Sequence, residues 1–455
     1  MIKENNFHSN VNLDSEESAK EIRNKIIQLV KEYAEISHKK KDFVPGKSFV
    51  PTAGRVYDYN EIQMLTSASL DFWLTAGRFN HEFEEKLSKF MNVKFVTTTN
   101  SGSSANLLAL SALTSDKLGD RSLKEGDEVI TVAASFPTTV NPILQNNLVP
   151  VFVDIEIPTY NIDIKLMKNA ITEKTKAIML AHTLGNPFNL EKVMEIAQEH
   201  NLWVIEDCCD ALGSKYNGKM VGTFGDVSTL SFYPAHHMTM GEGGAVLTNN
   251  PIIDRVIGSI RDWGRDCFCE PGVNDTCGKR FQWNFDGLPE GYDHKFIYSH
   301  LGYNLKITDM QAAVGVAQLG KVESFIEKRK NNFKWLKEHF KEFEEYFILP
   351  EAEVNSEPSW FGFPLTIRDN TNFTLNELNG YLFSHYVDTR PIFTGNITKQ
   401  PYFKNRKFRI VGELKNSDKM MENTFWVGVY PGLTVEMMQH VIDTVRDFIT
   451  FKNNI

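Results

Sequence analysis

The chain has no long hydrophobic run. Hydrophobic residues make up 42% of its 455 residues, enough for a large globular core. Nowhere, however, do about 18 apolar residues follow one another, the length that a membrane-spanning helix requires. The first residues, MIKENNFHSNVNLDSEES, are polar and contain no apolar segment of a secretory signal. We therefore expect a soluble, cytoplasmic protein with no membrane partner.

Basic charge is also scarce. Lysine and arginine number 49 against 58 aspartate and glutamate residues, which gives a net charge of -9. The longest basic run, HKKK at 38–41, is predicted to be a solvated helix end. Because binding to phosphate backbones needs a basic face, this composition excludes nucleic acid as a partner.

Cysteines are few, and their spacing matters more than their number. Five are too few for a disulfide scaffold, and an odd number without a secretory signal indicates reduced thiols or metal ligands. Four of them follow the spacing C-x57-C-x-C-x7-C, and Cys208 is left without a role. The C-x-C-x7-C part indicates a metal or a cluster, with zinc as the chief competitor of iron and unconnected loop cysteines as the plain alternative. The four are Cys209, Cys267, Cys269 and Cys277.

Short β-branched runs alternate with longer amphipathic segments. Seven such runs occur at 94–99, 127–134, 149–155, 176–182, 202–208, 227–233 and 244–249. This alternation predicts an α/β fold with a mostly parallel, seven-stranded sheet and helices on both faces.

The chain is expected to divide into an arm and two domains. Residues 1–50 are predicted to form a helical N-terminal arm, and 51–320 a large domain. Within the large domain, 265–304 has little periodicity, contains three cysteines and is long enough to be a functional loop. A long helical pattern at 308–343 leads into 321–455, a smaller α+β domain.

Three segments at the predicted strand ends carry candidate chemistry. NSGSSANLLALSAL (100–113) is a small-residue turn opening a helix, which suits a phosphate, although an ordinary N-cap explains it equally well. Asp207 ends a buried strand, where it either caps a helix or keeps a heteroaromatic nitrogen protonated. SFYPAHHMTMGEGG (231–244) surrounds His236, which in isolation is typical of a hydrogen-bonded core histidine.

The order of these segments resembles the DegT-type nucleotide-sugar aminotransferases, pyridoxal-phosphate enzymes of fold type I with an aspartate aminotransferase-like architecture. TAGRFNHEFEEKL, NSGSSA, FPTTVNP, IEDCCDALGS, SFYPAHHMTMGEGGAV and GYNLKITDMQAAVGVAQL all fall in family order, from about Pro51 onward. The resemblance implies that Gly102, Ser103 and Ser231 hold the cofactor phosphate. It implies further that Asp207 pairs with the pyridine nitrogen and Phe136 stacks on the ring. Asn304 would reach the phosphate across a homodimer interface.

The departures from the family are informative. His236 stands where the family has its imine-forming lysine, Tyr233 where many members have histidine, and Asp210 where histidine or glutamine is usual. Without the lysine, pyridoxamine or pyridoxal phosphate is expected to bind non-covalently, and His236 to act as the general base. Tyr233 and Asp210 are expected to take part in the hydrogen bonding around the leaving hydroxyl and the phenolic oxygen of the cofactor. The sequence does not assign either group to one residue or the other. The alignment favours His236 over His237.

The histidine and the four cysteines together are similar to the CDP-4-keto-6-deoxy-D-glucose 3-dehydrase branch. This resemblance implies a [2Fe-2S] cluster on the four thiolates, a CDP-sugar substrate that loses its C3 hydroxyl in dideoxysugar (O-antigen, lipopolysaccharide) biosynthesis, and an NADH-dependent flavin/iron-sulfur reductase as partner. Arg390 is a candidate for the diphosphate, with a surface turn arginine as the alternative.

Three other functions remain open. They are a nucleotide-sugar aminotransferase, an iron-free GDP-4-keto-6-deoxysugar 3-dehydratase, and a non-catalytic ligand-binding protein with a structural zinc. The nucleotide is implied by the resemblance alone, and no residue identifies the final dideoxysugar or the reductase docking surface.

Overall fold

The structure is a computed structural model that describes residues 16–39 and 42–454. Residues 1–15 of the predicted arm, and Lys40 and Lys41 of the basic run, lie outside the described residues. A helix, Glu16–Ser37, occupies the helical pattern of the arm and packs on the next helix. No helix in the described ranges is both long enough and apolar enough to cross a bilayer.

The described residues form thirteen α-helices. In chain order they are α1 Glu16–Ser37, α2 Tyr59–Asp71, α3 Arg78–Met91, α4 Gly102–Ala112, α5 Pro137–Gln145, α6 Ile164–Asn169, α7 Leu190–Glu199, α8 Pro251–Arg261, α9 Asp309–Leu319, α10 Val322–Phe340, α11 Leu375–Ser384, α12 Lys415–Asn423 and α13 Val435–Asn453.

In the part of the chain that the structure describes, the strands form one large sheet and three small ones. In chain order they are β1 Phe95–Thr99, β2 Glu128–Val132, β3 Val149–Val153, β4 Ile155–Glu156, β5 Asn161–Ile162, β6 Thr175–Ala181, β7 Trp203–Asp207, β8 Lys215–Tyr216, β9 Lys219–Met220, β10 Val227–Ser231, β11 Gly244–Thr248, β12 Phe347–Ile348, β13 Ser356–Glu357, β14 Gly362–Ile367, β15 Arg409–Ile410 and β16 Thr424–Gly428.

The large sheet confirms the predicted α/β class. Its order is β1-β11-β10-β7-β6-β2-β3-β15, with parallel pairing from β10 through β15 and antiparallel pairing of β11 to both neighbours. All seven predicted strand runs are present. The eighth strand, β15, was not predicted, because two residues carry no periodicity.

Helices cover both faces of the sheet, which explains why its strands are apolar on both sides. One face packs in a cluster with α4 and α8, and the other in a cluster with α3, α7 and α9. A separate cluster of aromatic and aliphatic side chains forms around the antiparallel sheet β12-β14-β16, with α10, α11 and α13.

The helical pattern at 308–343 is divided into two α-helices. The break lies at Gly320 and Lys321, between α9 and α10. The α9 helix packs on α2 and α3, whereas α10 packs on β14 and α13, so the chain changes partners here. The Lys321 ammonium binds both carboxylate oxygens of Glu61 at 2.7 Å, which holds the junction against α2.

Candidate active site

A cavity of about 660 Å³ lies at the carboxyl ends of the parallel strands, between the large sheet and the β14-β16 sheet. Ligands of open α/β sheets bind at this edge. The cavity brings together ten of the predicted residues, namely Gly102, Ser103, Phe136, Asp207, Cys209, Asp210, Ser231, Tyr233, His236 and Arg390.

The first turn of α4 forms a cup against the end of β10. Ser101 caps the helix by accepting the N–H of Ser104 at 3.1 Å. Gly102 and Ser103 line the cavity, and no described residue accepts a hydrogen bond from their backbone N–H groups. With the helix dipole behind them, these free donors suit a phosphate group.

Asp207 is buried, and three hydrogen-bond donors hold its carboxylate in place. One carboxylate oxygen accepts hydrogen bonds from Asn106 (2.8 Å) and Thr139 (2.7 Å). The other accepts the backbone N–H of Cys209 at 3.1 Å. A carboxylate held in this way at the cavity wall is placed to bind one further donor, such as a protonated ring nitrogen.

His236 faces the cavity beside Asp210. Its Nδ1 lies 3.3 Å from Oδ1 of Asp210, which is ion-pair distance without hydrogen-bond geometry. The Tyr233 ring stands edge-on at 6.4 Å, and the Tyr233 carbonyl accepts the His236 backbone N–H. With Asp210 at Nδ1, the other nitrogen, Nε2, is the one available to a substrate proton.

His237 points away from the cavity. Its Nε2 donates to the carbonyl of Ser359 at 2.7 Å, and its side chain is buried. Burial lowers the pKa of His237 well below its usual value, and the nearby charge of Arg329 lowers it further. A neutral imidazole hydrogen-bonded to a carbonyl is a structural group. The two histidines therefore differ: His236 faces the cavity, and His237 supports the fold.

The opposite wall is aromatic and comes largely from beyond residue 360. Phe361 and Trp426 pack at 5.4 Å, and the Phe136 ring contacts Phe393 at 6.3 Å. The Arg390 side chain is 54% exposed at the rim and pairs with Asp388. Its guanidinium keeps donors free for an anionic ligand.

Three of the predicted cluster cysteines are neighbours in the 265–304 loop. The thiols of Cys267 and Cys269 interact with each other, and the Cys269 sulfur accepts the N–H of Thr276 at 3.4 Å, one residue before Cys277. Cys209 instead lies in the cavity wall near Ser231, and no hydrogen bond within the described residues links it to the loop. Burial raises the pKa of the Cys209 thiol well above its usual value, with Asp207 adding to the shift.

The four cysteines therefore fit a cluster in part. A [2Fe-2S] cluster takes four thiolates, and the loop offers three. The described residues contain one group of metal-type side chains with ligand atoms within 4.8 Å of one another, and none of these four cysteines belongs to it. No three of the four sulfurs therefore lie within 4.8 Å of one another in the described residues.

That group, His182, Glu206 and Cys208, is saturated by hydrogen bonds. Glu206 accepts from His182 at 3.1 Å and from three backbone N–H groups of the turn at 222–225. Burial alone would raise the pKa of Glu206, but these donors lower it overall. The network fixes the end of β7, where Asp207 is located, and is structural.

Asn304 does not line the cavity of its own chain. It is exposed and pairs through its backbone with Asp262. Its expected role across a dimer interface stays a prediction.

Sequence reasoning missed the residues that support the site. Asn106 could have been predicted, since it lies four positions after Gly102 and therefore on the same face of α4. Phe361 and Trp426 could not have been predicted, because their position in the cavity wall depends on a sheet that is distant in sequence.

The cavity fits a pyridoxal-type cofactor on geometric grounds. A Cβ at Gly102 would lie 2.4 Å from Cβ of Ser231, so only glycine allows this close approach. Free N–H donors at one end, the Asp207 carboxylate in the wall and an exposed Phe136 ring match a phosphate, a ring nitrogen and a ring face.

Comparison with known proteins places the chain among sugar-modifying enzymes. It is 58% identical over 431 residues to the lipopolysaccharide biosynthesis protein RfbH of Salmonella typhimurium, covering 95% of this chain and 99% of the relative. It is 48% identical over 436 residues to the dTDP-4-dehydro-2,6-dideoxy-D-glucose 3-dehydratase of Saccharopolyspora spinosa, covering 95% and 93%. Among solved structures, E. coli GDP-4-keto-6-deoxy-D-mannose-3-dehydratase with bound hydrated PLP has a TM-score of 0.80 at 30% identity, covering 87% of this chain and 99% of that one.

These similarities confirm the expected PLP-dependent transferase fold. The family of DegT/DnrJ/EryC1/StrS aminotransferases matches residues 56–446, a range that contains every residue of the cavity wall except Thr52 and Ala53. The chain belongs to the DegT/DnrJ/EryC1/StrS aminotransferase family.

Proposed function

We propose that this protein is a dehydratase that removes the C3 hydroxyl of a nucleotide-linked 4-keto-6-deoxyhexose, with pyridoxamine phosphate bound non-covalently. One observation carries the proposal: position 236, where related aminotransferases have lysine, holds a histidine that faces the cavity beside Asp210. No lysine occurs among the described residues that line the cavity. Without that amine the site favours elimination over amino transfer.

Asp207, His236 and Asp210 each have a distinct role in the proposed reaction. The bound cofactor supplies a pyridinium ring that accepts electron density. Asp207, held by Asn106 and Thr139, keeps the ring nitrogen protonated. His236 accepts at Nε2 the proton whose removal expels the C3 hydroxyl, and Asp210 stabilises the resulting imidazolium.

We propose CDP as the nucleotide, with Arg390 at the diphosphate, and a dideoxysugar of lipopolysaccharide as the destination of the product. The Salmonella relative named for lipopolysaccharide biosynthesis supports the destination. The other two relatives are named for dTDP- and GDP-linked sugars, so the nucleotide is tested by competing CDP-, dTDP- and GDP-linked substrates in one assay.

We propose further that the loop cysteines and Cys209 hold a [2Fe-2S] cluster and that a partner reductase supplies reducing equivalents. The support is the contact of Cys267 with Cys269, together with the hydrogen bond to the Cys269 sulfur from Thr276, which precedes Cys277 in the chain. Iron, sulfide and zinc are measured in anaerobically purified protein together with its visible spectrum. Zinc without iron and sulfide would contradict the cluster and leave an iron-free dehydratase.

Replacement of the base tests the function. We expect His236→Asn to lower the rate of C3 hydroxyl release by about 10²-fold or more, because general-base catalysis typically contributes that much. Release is followed by mass spectrometry of the sugar, and cofactor retention by absorbance. Bound cofactor with undiminished dehydration would place the base elsewhere.

The neighbouring histidine is the matched control. His237→Gln keeps a donor for the Ser359 carbonyl and lies outside the cavity, so its rate of dehydration should remain within about threefold of the parent rate.

A separate test distinguishes dehydration from amino transfer. Addition of glutamate as an amino donor should yield no amino sugar; efficient amino transfer would favour the aminotransferase alternative.

A further inference from the structure

Arg329 is a buried cation that has no carboxylate partner among the described residues. It lies on α10 with 1% of its surface exposed, and it makes no ion pair with any described residue. Burial lowers the pKa of Arg329 to about 9, opposed only by the charge of Asp210, so the group is still charged at neutral pH. A buried charge of this kind is costly and requires compensating hydrogen bonds.

The compensation comes from three backbone carbonyls, one in the anchor loop (231–244) and two in the segment just before β14. One terminal nitrogen of Arg329 donates to the carbonyls of Trp360 (3.3 Å) and Phe361 (3.2 Å). The other donates to the carbonyl of His236 at 3.3 Å. A single guanidinium therefore joins the residue that faces the cavity to the segment that precedes β14.

Neighbouring side chains also limit the position of the His236 ring. The Phe361 ring lies 5.3 Å from the His236 ring and 5.6 Å from the Arg329 guanidinium. Asp210 lies 3.3 Å from Nδ1 of the same imidazole. His236 is thus held at its backbone by Arg329 and at its ring by an aromatic face that Arg329 also fixes.

We propose that Arg329 is the positioning residue of His236: it fixes the backbone carbonyl of His236 and the adjoining wall segment so that the imidazole meets the substrate beside Asp210. This inference rests on the proposed function, in which His236 is the base. A displacement of about 1 Å at a reacting group can reduce a rate on the order of 10²-fold, so the contribution is kinetic as well as structural.

The test uses Arg329→Met and Arg329→Lys in the full chain loaded with pyridoxamine phosphate. We expect Arg329→Met to lower kcat on the order of 10²-fold with KM nearly unchanged. Arg329→Lys should recover part of the loss, because an ammonium supplies charge and donors but not the planar fork. In protein with isotope-labelled histidine, the NMR signal of His236, assigned by its loss in His236→Asn, should shift in the methionine variant and move back in the lysine variant.

Arg409→Met is the matched control. Arg409 pairs with Glu128 at the start of β2, the opposite end of the sheet from the cavity, so this variant should lose stability without changing kcat or the His236 signal. An unshifted His236 signal in Arg329→Met, or a kcat within twofold of the parent, would overturn the proposal. If Arg329→Met fails to fold, Arg329→Lys decides, and its identity with the parent in both readouts would equally overturn it. The NMR measurement does not depend on turnover, so parent protein that dehydrates no sugar refutes the proposed function alone.

Discussion

The missing side chain of Gly102 sets the geometry of the phosphate cup. A Cβ at this position would lie 2.4 Å from Cβ of Ser231, 2.8 Å from its Oγ and 3.0 Å from the sulfur of Cys209. Since Gly102 and Ser231 are both proposed phosphate contacts, their close approach determines the width of the cup. One methyl group would force the start of α4 away from β10.

Replacement of Gly102 by alanine is therefore expected to weaken cofactor binding at least tenfold, equivalent to about 1.4 kcal/mol. The physical reason is displacement of the first-turn N–H donors, and the measurement is equilibrium titration with pyridoxamine phosphate.

Gly258→Ala is the control for this change. It lies in α8, where a Cβ would meet nothing within 4 Å, and should leave cofactor affinity unchanged while adding about 0.5–1 kcal/mol of helix stability. Parent-like affinity in Gly102→Ala would mean that the cup does not hold the cofactor.

Among the elements, the anchor loop marks the limit of local sequence reasoning. The strand runs before and after it were predictable because each is a short, continuous apolar run. The two adjacent histidines of the loop are alike in their local sequence, and contacts outside the loop distinguish them: His236 lies beside Asp210, whereas His237 bonds to the carbonyl of Ser359, 122 positions away. The Asp207 pocket could be predicted at its strand end, but Thr139, which fixes it, belongs to another helix.

The buried His237 should make stability fall as the solution becomes acidic. Its pKa is lowered by burial in the folded state, whereas in the unfolded chain it takes up a proton near pH 6.5. Below that pH the unfolded state binds more protons, so the contribution present above pH 6.5 is lost as the pH falls. Between pH 7.5 and 5.5 the loss amounts to about 1.4 kcal/mol.

His237→Gln should remove this part of the pH dependence, measured as the free energy of unfolding in urea at the two pH values. The comparison cancels every other titrating group that the two proteins share. Equal losses in both proteins would mean that His237 is protonated as readily in the folded state as in the unfolded one.

On the scale of the whole molecule, the loop at 265–304 and the helix ends near it leave large apolar side chains exposed. Leu301 is 94% exposed and Phe72 77%, and Phe281, Phe296 and Tyr298 are also exposed. Asn304 follows this surface and lies outside its own cavity. Both observations favour the expected homodimer, in which Asn304 would complete the partner's site.

Mixing two inactive variants tests this arrangement. If Asn304 acts across the interface, a heterodimer of Asn304→Ala and His236→Asn chains carries both defects in one site and neither in the other. Subunit exchange should therefore restore dehydration toward half of the parent rate per heterodimer. A mixture that stays inactive although the heterodimer forms would place Asn304 in the site of its own chain. An Asn304→Ala protein that is active by itself would place Asn304 outside catalysis.

The strand β15 has a consequence for how the chain can be divided. After leaving the large sheet, the polypeptide builds the β12-β14-β16 sheet only in part before Arg409–Ile410 returns to pair with β3, and it then goes back to form β16. A cut near residue 320 would thus strip the large sheet of its edge strand and deprive Glu128 of its arginine. The segments that form the two sides of the cavity therefore depend on each other. Neither can be removed as an independently folding unit without the loss of strand pairing in the large sheet.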